Sequence, residues 1–209
     1  MNRFFLLFLF LAIPGVAWSQ TVDFQLEVTD SQGIALSSVQ VGQTFYLQGY
    51  VQDTRTPPRG ILSFYADVLY DSLLLSPDAN SFSLGSEFVN AQIHSSLVVN
   101  GVLDEMGGLV KTASTIPPVP NGIGVAPTLL FSVNFRAERE GFVTFRTDPA
   151  DILPRRATTV LGNDNGISAS DIRFGSASIS ILVPEPATIS IVTMAWIVIF
   201  LQRRKPITK

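Results

Sequence analysis

Residues 129–146 read LLFSVNFRAEREGFVTFR. From Leu130 the pattern alternates, with Phe131, Val133, Phe135 and Ala137 on one side and Asn134, Arg136 and Glu138 on the other. Side chains of a strand leave the backbone on alternate faces, so period two with one apolar face is a half-buried strand. Gly141 then turns the chain into Phe142–Arg146, which reads as the hairpin partner.

The same pattern recurs in both directions along the chain. Residues 44–53 place Phe45, Leu47, Gly49 and Val51 opposite Thr44, Tyr46, Gln48 and Gln52. Residues 22–28 and 61–71 read as further strands. Ile172 and Phe174 lead into Ala177, Ile179 and Ile181, which alternate with Ser176, Ser178 and Ser180 as the last strand. Turn signals separate these runs: Ser31-Gln32-Gly33, Pro57-Pro58-Arg59-Gly60, Asn100-Gly101, Asn121-Gly122 and Asn163-Asp164-Asn165-Gly166. Residues 112–127, rich in Pro and Gly, read as a long surface loop. The nearest candidates for helical turns are 86–94 and 102–108, and no 3.6-residue apolar stripe is sustained. Many short strands between Gly, Pro and Asn turns predict an all-β protein, a β-sandwich.

The 209-residue chain has ends unlike its middle. Arg3, the apolar run Phe4–Ile13, Pro14-Gly15 and the small residues Ala17 and Ser19 have the layout of a secretory signal peptide over residues 1–19. Residues 20–183 then form one ectodomain of ordinary single-domain length. It holds 16 acids and 9 bases, a net charge of −7, which argues against nucleic acid as a partner. The chain has no cysteine, so disulfides, thiolate metal sites and thiol nucleophiles are excluded.

Candidates for chemistry are few. The one histidine, His94, lacks the spaced partner that an imidazole metal site needs and reads as a loop residue. No G-x-S-x-G elbow surrounds any serine. The pairs Asp104-Glu105 and Asp148…Asp151 are candidate acids for glycoside hydrolysis. Neighbours on a regular strand point to opposite faces, however, so Asp104 and Glu105 are expected to diverge, and the chain reads as a non-enzyme. Asn163, Asp164 and Asn165 are candidate calcium ligands by their oxygens, although their spacing does not fit an EF-hand loop. Calcium is the one cofactor in view. Both tryptophans, Trp18 and Trp196, lie in the terminal segments, which leaves Tyr46, Tyr50 and Tyr65 as the candidate glycan platform.

The segment 184–209 ends the chain. Ala187 to Leu201 is an uncharged run of about 22 Å as a helix, short of a ~30 Å hydrocarbon core, and reads as a transmembrane helix over 187–201. The basic tail 202–209 contains Arg203, Arg204 and Lys205, which mark the cytoplasmic side. Pro184 and Pro186 keep the backbone around Glu185 extended and accessible. Val183-Pro184-Glu185-Pro186, the apolar run and the basic cluster together resemble the PEP-CTERM sorting signal. That resemblance implies a bacterial cell-envelope protein, exported by the secretion machinery as a single-pass membrane precursor and processed by an exosortase-type enzyme.

Residues 41–75, VGQTFYLQGYVQDTRTPPRGILSFYADVLYDSLLL, carry a second resemblance. A strand after Val41-Gly42, a loop closing at Gly60 and an aromatic strand ending in Tyr70-Asp71 look like the first half of a cohesin-type domain. Residues 129–145 are similar to its strand–Gly–strand second half. The resemblance implies a jelly-roll sandwich over about residues 22–182 that docks a protein partner. The alternative is a carbohydrate-binding module for an extracellular polysaccharide.

Overall fold

The computed structural model describes residues 21–89, 97–99, 101–111, 123–150, 159–161 and 167–184. In chain order its strands are β1 (Val22–Thr29), β2 (Ser38–Gln40), β3 (Thr44–Asp53), β4 (Ile61–Leu69), β5 (Leu75–Pro77), β6 (Ser83–Leu84) and β7 (Phe88–Val89). There follow β8 (Leu97–Val99), β9 (Val102–Val110), β10 (Thr128–Ala137), β11 (Gly141–Pro149), β12 (Thr159–Leu161), β13 (Ile172–Phe174) and β14 (Ser176–Leu182). Two 3₁₀ turns, Ala79–Ser81 and Ala169–Asp171, are the helical elements among the described residues.

The strands form two sheets, ordered β13-β1-β3-β10-β5 and β2-β14-β11-β4-β9-β7. β6 joins β10 in the first, and β12 and β8 join β4 and β9 in the second. The pairs β1–β13 and β14–β2 are parallel and the other pairings antiparallel. The fold is the all-β sandwich that the alternation predicts.

Between the sheets lies an aromatic core. Phe24, Phe45, Phe64, Phe131, Phe135 and Phe145 are fully buried. Phe135 is its hub, with ring centroids 5.9 Å from Phe45, 5.2 Å from Phe145 and 5.1 Å from Tyr70. Offset and edge-on pairs at such spacings add stabilisation beyond that of their buried area.

Three expectations are corrected. β10 and β11 are not a hairpin: β10 pairs with β3 and β5, and β11 pairs with β14 and β4. Each strand buries one face in the same core, so the link at 138–140 crosses from sheet to sheet. The last strand is also two strands. β13 pairs with β1 and β14 with β11, and the chain changes sheets at Gly175, whose N–H donates to Phe24 O at 2.7 Å. A Cβ there would stand 2.9 Å from that oxygen, so the crossing needs a residue without a side chain. Residues 102–108 are not a helical turn but lie inside β9, as the next section explains.

Candidate functional site

β4 and β9 pair out of step. Ala66 faces Met106 and Val68 faces Leu103, so the single residue Asp67 stands opposite both Asp104 and Glu105. This is a β-bulge, which leaves one extra residue on one strand and re-aims its side chain. Glu105 takes a positive φ of 53°, and its N–H donates to Asp67 Oδ1 at 2.8 Å. The bulge also sends both Leu103 and Met106 into the core, three residues apart, which mimics a helical turn in the sequence.

The bulge also overturns the expected divergence of Asp104 and Glu105. One carboxylate oxygen from each of Asp67, Asp104 and Glu105 lies within 4.8 Å of the others. Asp67 is 8% exposed and Glu105 1%. Asp148 of β11 is directly opposite Asp67 across the β11–β4 ladder, so a fourth acid adjoins the group. Carboxylate oxygens are the donor type a calcium-like cation takes, but Asp67, Asp104 and Glu105 each already have a further interaction within the protein.

These acids sit on the outer face of the second sheet, away from the core. Phe142, 67% exposed, stands on the same face of β11, and Leu69 of β4, 39% exposed, pairs with Arg146. β14 contributes Ser176, Ser178 and Ser180, and Thr144 Oγ1 and Ser178 Oγ are 3.0 Å apart. Phe142 and Asp148 are six residues apart on one strand, roughly 20 Å at the usual strand rise.

The three tyrosines do not form one platform. Tyr46 and Tyr50 are half-buried on the outer face of the first sheet, beside Gln48 and Gln52 on β3. Tyr50 Oη donates to Gln48 Oε1 at 2.8 Å, and burial, reinforced by Glu27, pushes its phenol pKa up. Tyr65 belongs to β4 in the other sheet and is 4% exposed, which leaves no open ring face for a sugar.

A second polar constellation was not singled out from sequence. Asp53, at the end of β3, is 2% exposed and accepts from the N–H groups of Arg55, Arg59 and Gly60 at 2.7–3.0 Å. Arg55 adds two side-chain bonds of 3.0 Å. Asp23 on β1 likewise holds the Arg173 guanidinium, with Nε at 2.8 Å, and Gln25 Nε2 at 2.7 Å. The Arg173 bond holds the Asp23 carboxyl below the ordinary range despite burial. Asp23 and Arg173 are 150 residues apart, so only the parallel β1–β13 pairing reveals them as partners.

Of the sorting motif, Val183 is 55% exposed and Pro184 is exposed. Glu185, Pro186, Arg203, Arg204, Lys205, the calcium candidates Asn163, Asp164 and Asn165, His94, Asp151 and residues 1–19 lie outside the described residues. Among those described, no helix is long and apolar enough to cross a membrane.

No protein-family model matches the chain, and no curated protein does. Solved structures do. The second type II cohesin module of the adaptor scaffoldin ScaA from Acetivibrio cellulolyticus superposes with a TM-score of 0.50 at 12% identity, covering 83% of this chain and 96% of that one. The fold is cohesin-like. A cohesin from a type I cohesin–dockerin complex of Clostridium thermocellum gives 0.49 at 14% identity, covering 77% and 99%. The seventh ScaB type I cohesin of Pseudobacteroides cellulosolvens gives 0.48 at 12%, covering 79% and 95%. The cohesin resemblance read from residues 41–75 and 129–145 therefore holds at the level of fold.

Proposed function

We propose that this chain is an exported, non-enzymatic docking module of the bacterial cell envelope, and that it binds a protein partner on the outer face of its second sheet. The observation that carries this reading is the composition of that face. An exposed aromatic anchor, Phe142, lies roughly 20 Å from a group of carboxylates drawn together by a bulge. Interfaces of standard size bury about 800 Å² per partner, with aromatic anchors carrying much of the affinity. A patch of that size covers both features. The partner accordingly offers an apolar pocket for Phe142 and, beside it, a basic group for the exposed Asp148.

Binding is favoured over catalysis by the placement of the acids. Glycoside hydrolysis needs two carboxyl groups about 5–9.5 Å apart across a cleft that holds the sugar. The three carboxylates here have oxygens within 4.8 Å of one another on a sheet face. The fold supports the docking reading, since the structure that superposes at a TM-score of 0.50 is a cohesin module of an adaptor scaffoldin.

Residues 1–19 act in this reading as the export signal and residues 184–209 as a PEP-CTERM sorting segment. An exosortase-type enzyme recognises Val183-Pro184-Glu185-Pro186, with the span 187–201 in the membrane and Arg203, Arg204 and Lys205 on its cytoplasmic side. The exposure of Val183 and Pro184 supports an accessible recognition site.

Two measurements test the proposal. Affinity capture from the producing cell is expected to retrieve a partner with the native chain and to lose it with Phe142→Ser or Asp148→Lys, neither of which lowers Tm. Capture unaffected by both variants refutes this face. The intact mass of the surface-exposed protein is expected to end between Val183 and Pro186, whereas a mass retaining Lys209 refutes processing.

A further inference from the structure

The chain leaves the sandwich at the end of β14, and the most exposed apolar side chains are gathered at that same end. Among the described residues, the large apolar side chains exposed by half or more are Ile34, Leu73, Phe142, Leu182 and Val183, at 50–69%. Ile34 stands in the turn beyond β1, Leu73 in the loop before β5, Phe142 at the start of β11, and Leu182 closes β14. Val41 N–H donates to Leu182 O at 2.9 Å and Gly42 N–H to Ala137 O at 2.8 Å, which ties the two sheets together here. Phe142 is opposite Ser180, so Leu182 is its diagonal neighbour on the outer face, about 7–8 Å away. The less exposed Val89 and Val125 lie at the other end, where β9 and β3 finish.

Two of the loops are built to hold an aliphatic residue outward. The Asp30 carboxylate accepts the Ile34 N–H at 2.9 Å, and the Asp71 carboxylate accepts the Leu73 N–H at 2.9 Å. Backbone bonds close each turn again, from Gly33 N–H to Asp30 O and from Leu74 N–H to Asp71 O. Apolar side chains on loops fixed in this way lose little further freedom when they are covered. Acids outnumber bases in and beside these loops, Asp30, Asp71, Glu138 and Glu140 against Arg136 and Arg139, which disfavours an anionic surface.

The length of chain that follows argues for what covers this end. Three peptide units link Pro184 to Ala187, where the apolar run begins, and they reach at most roughly 11 Å. The run 187–201, about 22 Å as a helix, is about 8 Å shorter than a ~30 Å hydrocarbon core. That deficit is met by thinning of the bilayer, by snorkelling of the basic cluster, or by drawing the domain down. None of these lengthens the link. Interfacial apolar faces sit about 5–10 Å into the headgroup boundary, which is within its reach. We infer that this end of the domain rests in the membrane interface while residues 187–201 span the bilayer, with Ile34, Leu73, Phe142, Leu182 and Val183 in contact with zwitterionic lipid. The inference rests on the reading of 187–201 as a membrane span. Phe142 belongs also to the docking face, so lipid contact withholds it from a protein partner until the tail is processed.

The test uses the exported precursor, which still carries residues 184–209, in phosphatidylcholine vesicles with a nitroxide quencher on their acyl chains. The chain has no cysteine, so a fluorophore is placed on one introduced thiol at a time. After flotation, labels on Leu73→Cys and Leu182→Cys are expected to be quenched, and labels on Val89→Cys and Val125→Cys are not. Ile34→Ser combined with Phe142→Ser is expected to weaken the contact about tenfold or more, read as lost quenching at Leu182→Cys with Tm unchanged. Anionic phosphatidylglycerol in the vesicles is expected not to raise the quenching. A chain that floats with its labels unquenched overturns the inference and leaves the span standing, whereas a chain that does not float overturns both. Quenching indifferent to the serine substitutions also overturns it, as does a signal that changes with protein density, which marks a second copy on this end.

Discussion

Replacing Asp53 by alanine tests the buried-carboxylate reading of the β3–β4 loop. The native carboxylate receives three backbone N–H groups and two bonds from the Arg55 side chain, which itself is 17% exposed. Alanine leaves the three backbone donors without their acceptor and removes the two bonds by which Asp53 holds the Arg55 guanidinium. Removing one partner of a buried ion pair costs about 3–5 kcal/mol. For a domain of this length each kcal/mol shifts Tm by about 2–4 °C, so a drop near 10 °C is expected. Asparagine keeps an acceptor in place but not the charge, and its cost is smaller, about 1–2 kcal/mol.

The pH dependence separates the two effects. Burial raises the Asp53 carboxyl, but the bonds from Arg55, Arg59 and Gly60 outweigh it and the net shift is downward. A depressed folded-state pKa means the contribution is fully present above the unfolded value of about 3.9 and is lost as pH falls through the folded value. Thermal unfolding from pH 7 to pH 2 is therefore expected to bring the native and Asp53→Asn curves together at the acid end. A drop of less than about 3 °C in Asp53→Ala, or curves that stay parallel throughout, refutes the reasoning.

Two further outcomes concern the sandwich itself. In Gly107→Ala the new Cβ would stand 1.9 Å from Phe64 O, a backbone atom that moves only with β4. A loss of at least about 3 kcal/mol is expected in urea unfolding, and a neutral result would refute the close pairing of β4 and β9 at the bulge. Phe135→Ala removes the hub of the aromatic core and is expected to cost about 3–5 kcal/mol by the same measurement. A cost below about 1.5 kcal/mol would place Phe135 outside the core.

Period two was enough to find β1, β3, β4, β10, β11 and the run that became β13 and β14, because burial of one face imposes it on a regular strand; it missed β9, whose bulge breaks the period. It does not say which sheet a strand joins. β10 and β11 show the same alternation whether they pair or face each other across the core, and Tyr46, Tyr50 and Tyr65 cannot be separated without that assignment. The sheet change at Gly175 does leave a trace. Apolar positions move from even numbers at Ile172 and Phe174 to odd ones at Ala177, Ile179 and Ile181, a parity shift that one continuous strand cannot carry. The carboxylate group left less. Its bulge turns on a positive φ at Glu105, a residue with no special preference for that conformation. The strand rule that separated Asp104 from Glu105 was sound for regular pairing and failed where the pairing slips.

The two faces use their acids in opposite ways, and this sets what each can bind. On the first sheet Asp23 and Asp53 are neutralised by Arg173 and Arg55, so neither carboxylate is left to a ligand. On the second sheet Asp67, Asp104 and Glu105 gather against one another at the bulge, and the exposed Asp148 opposite Asp67 is the acid open to a partner there.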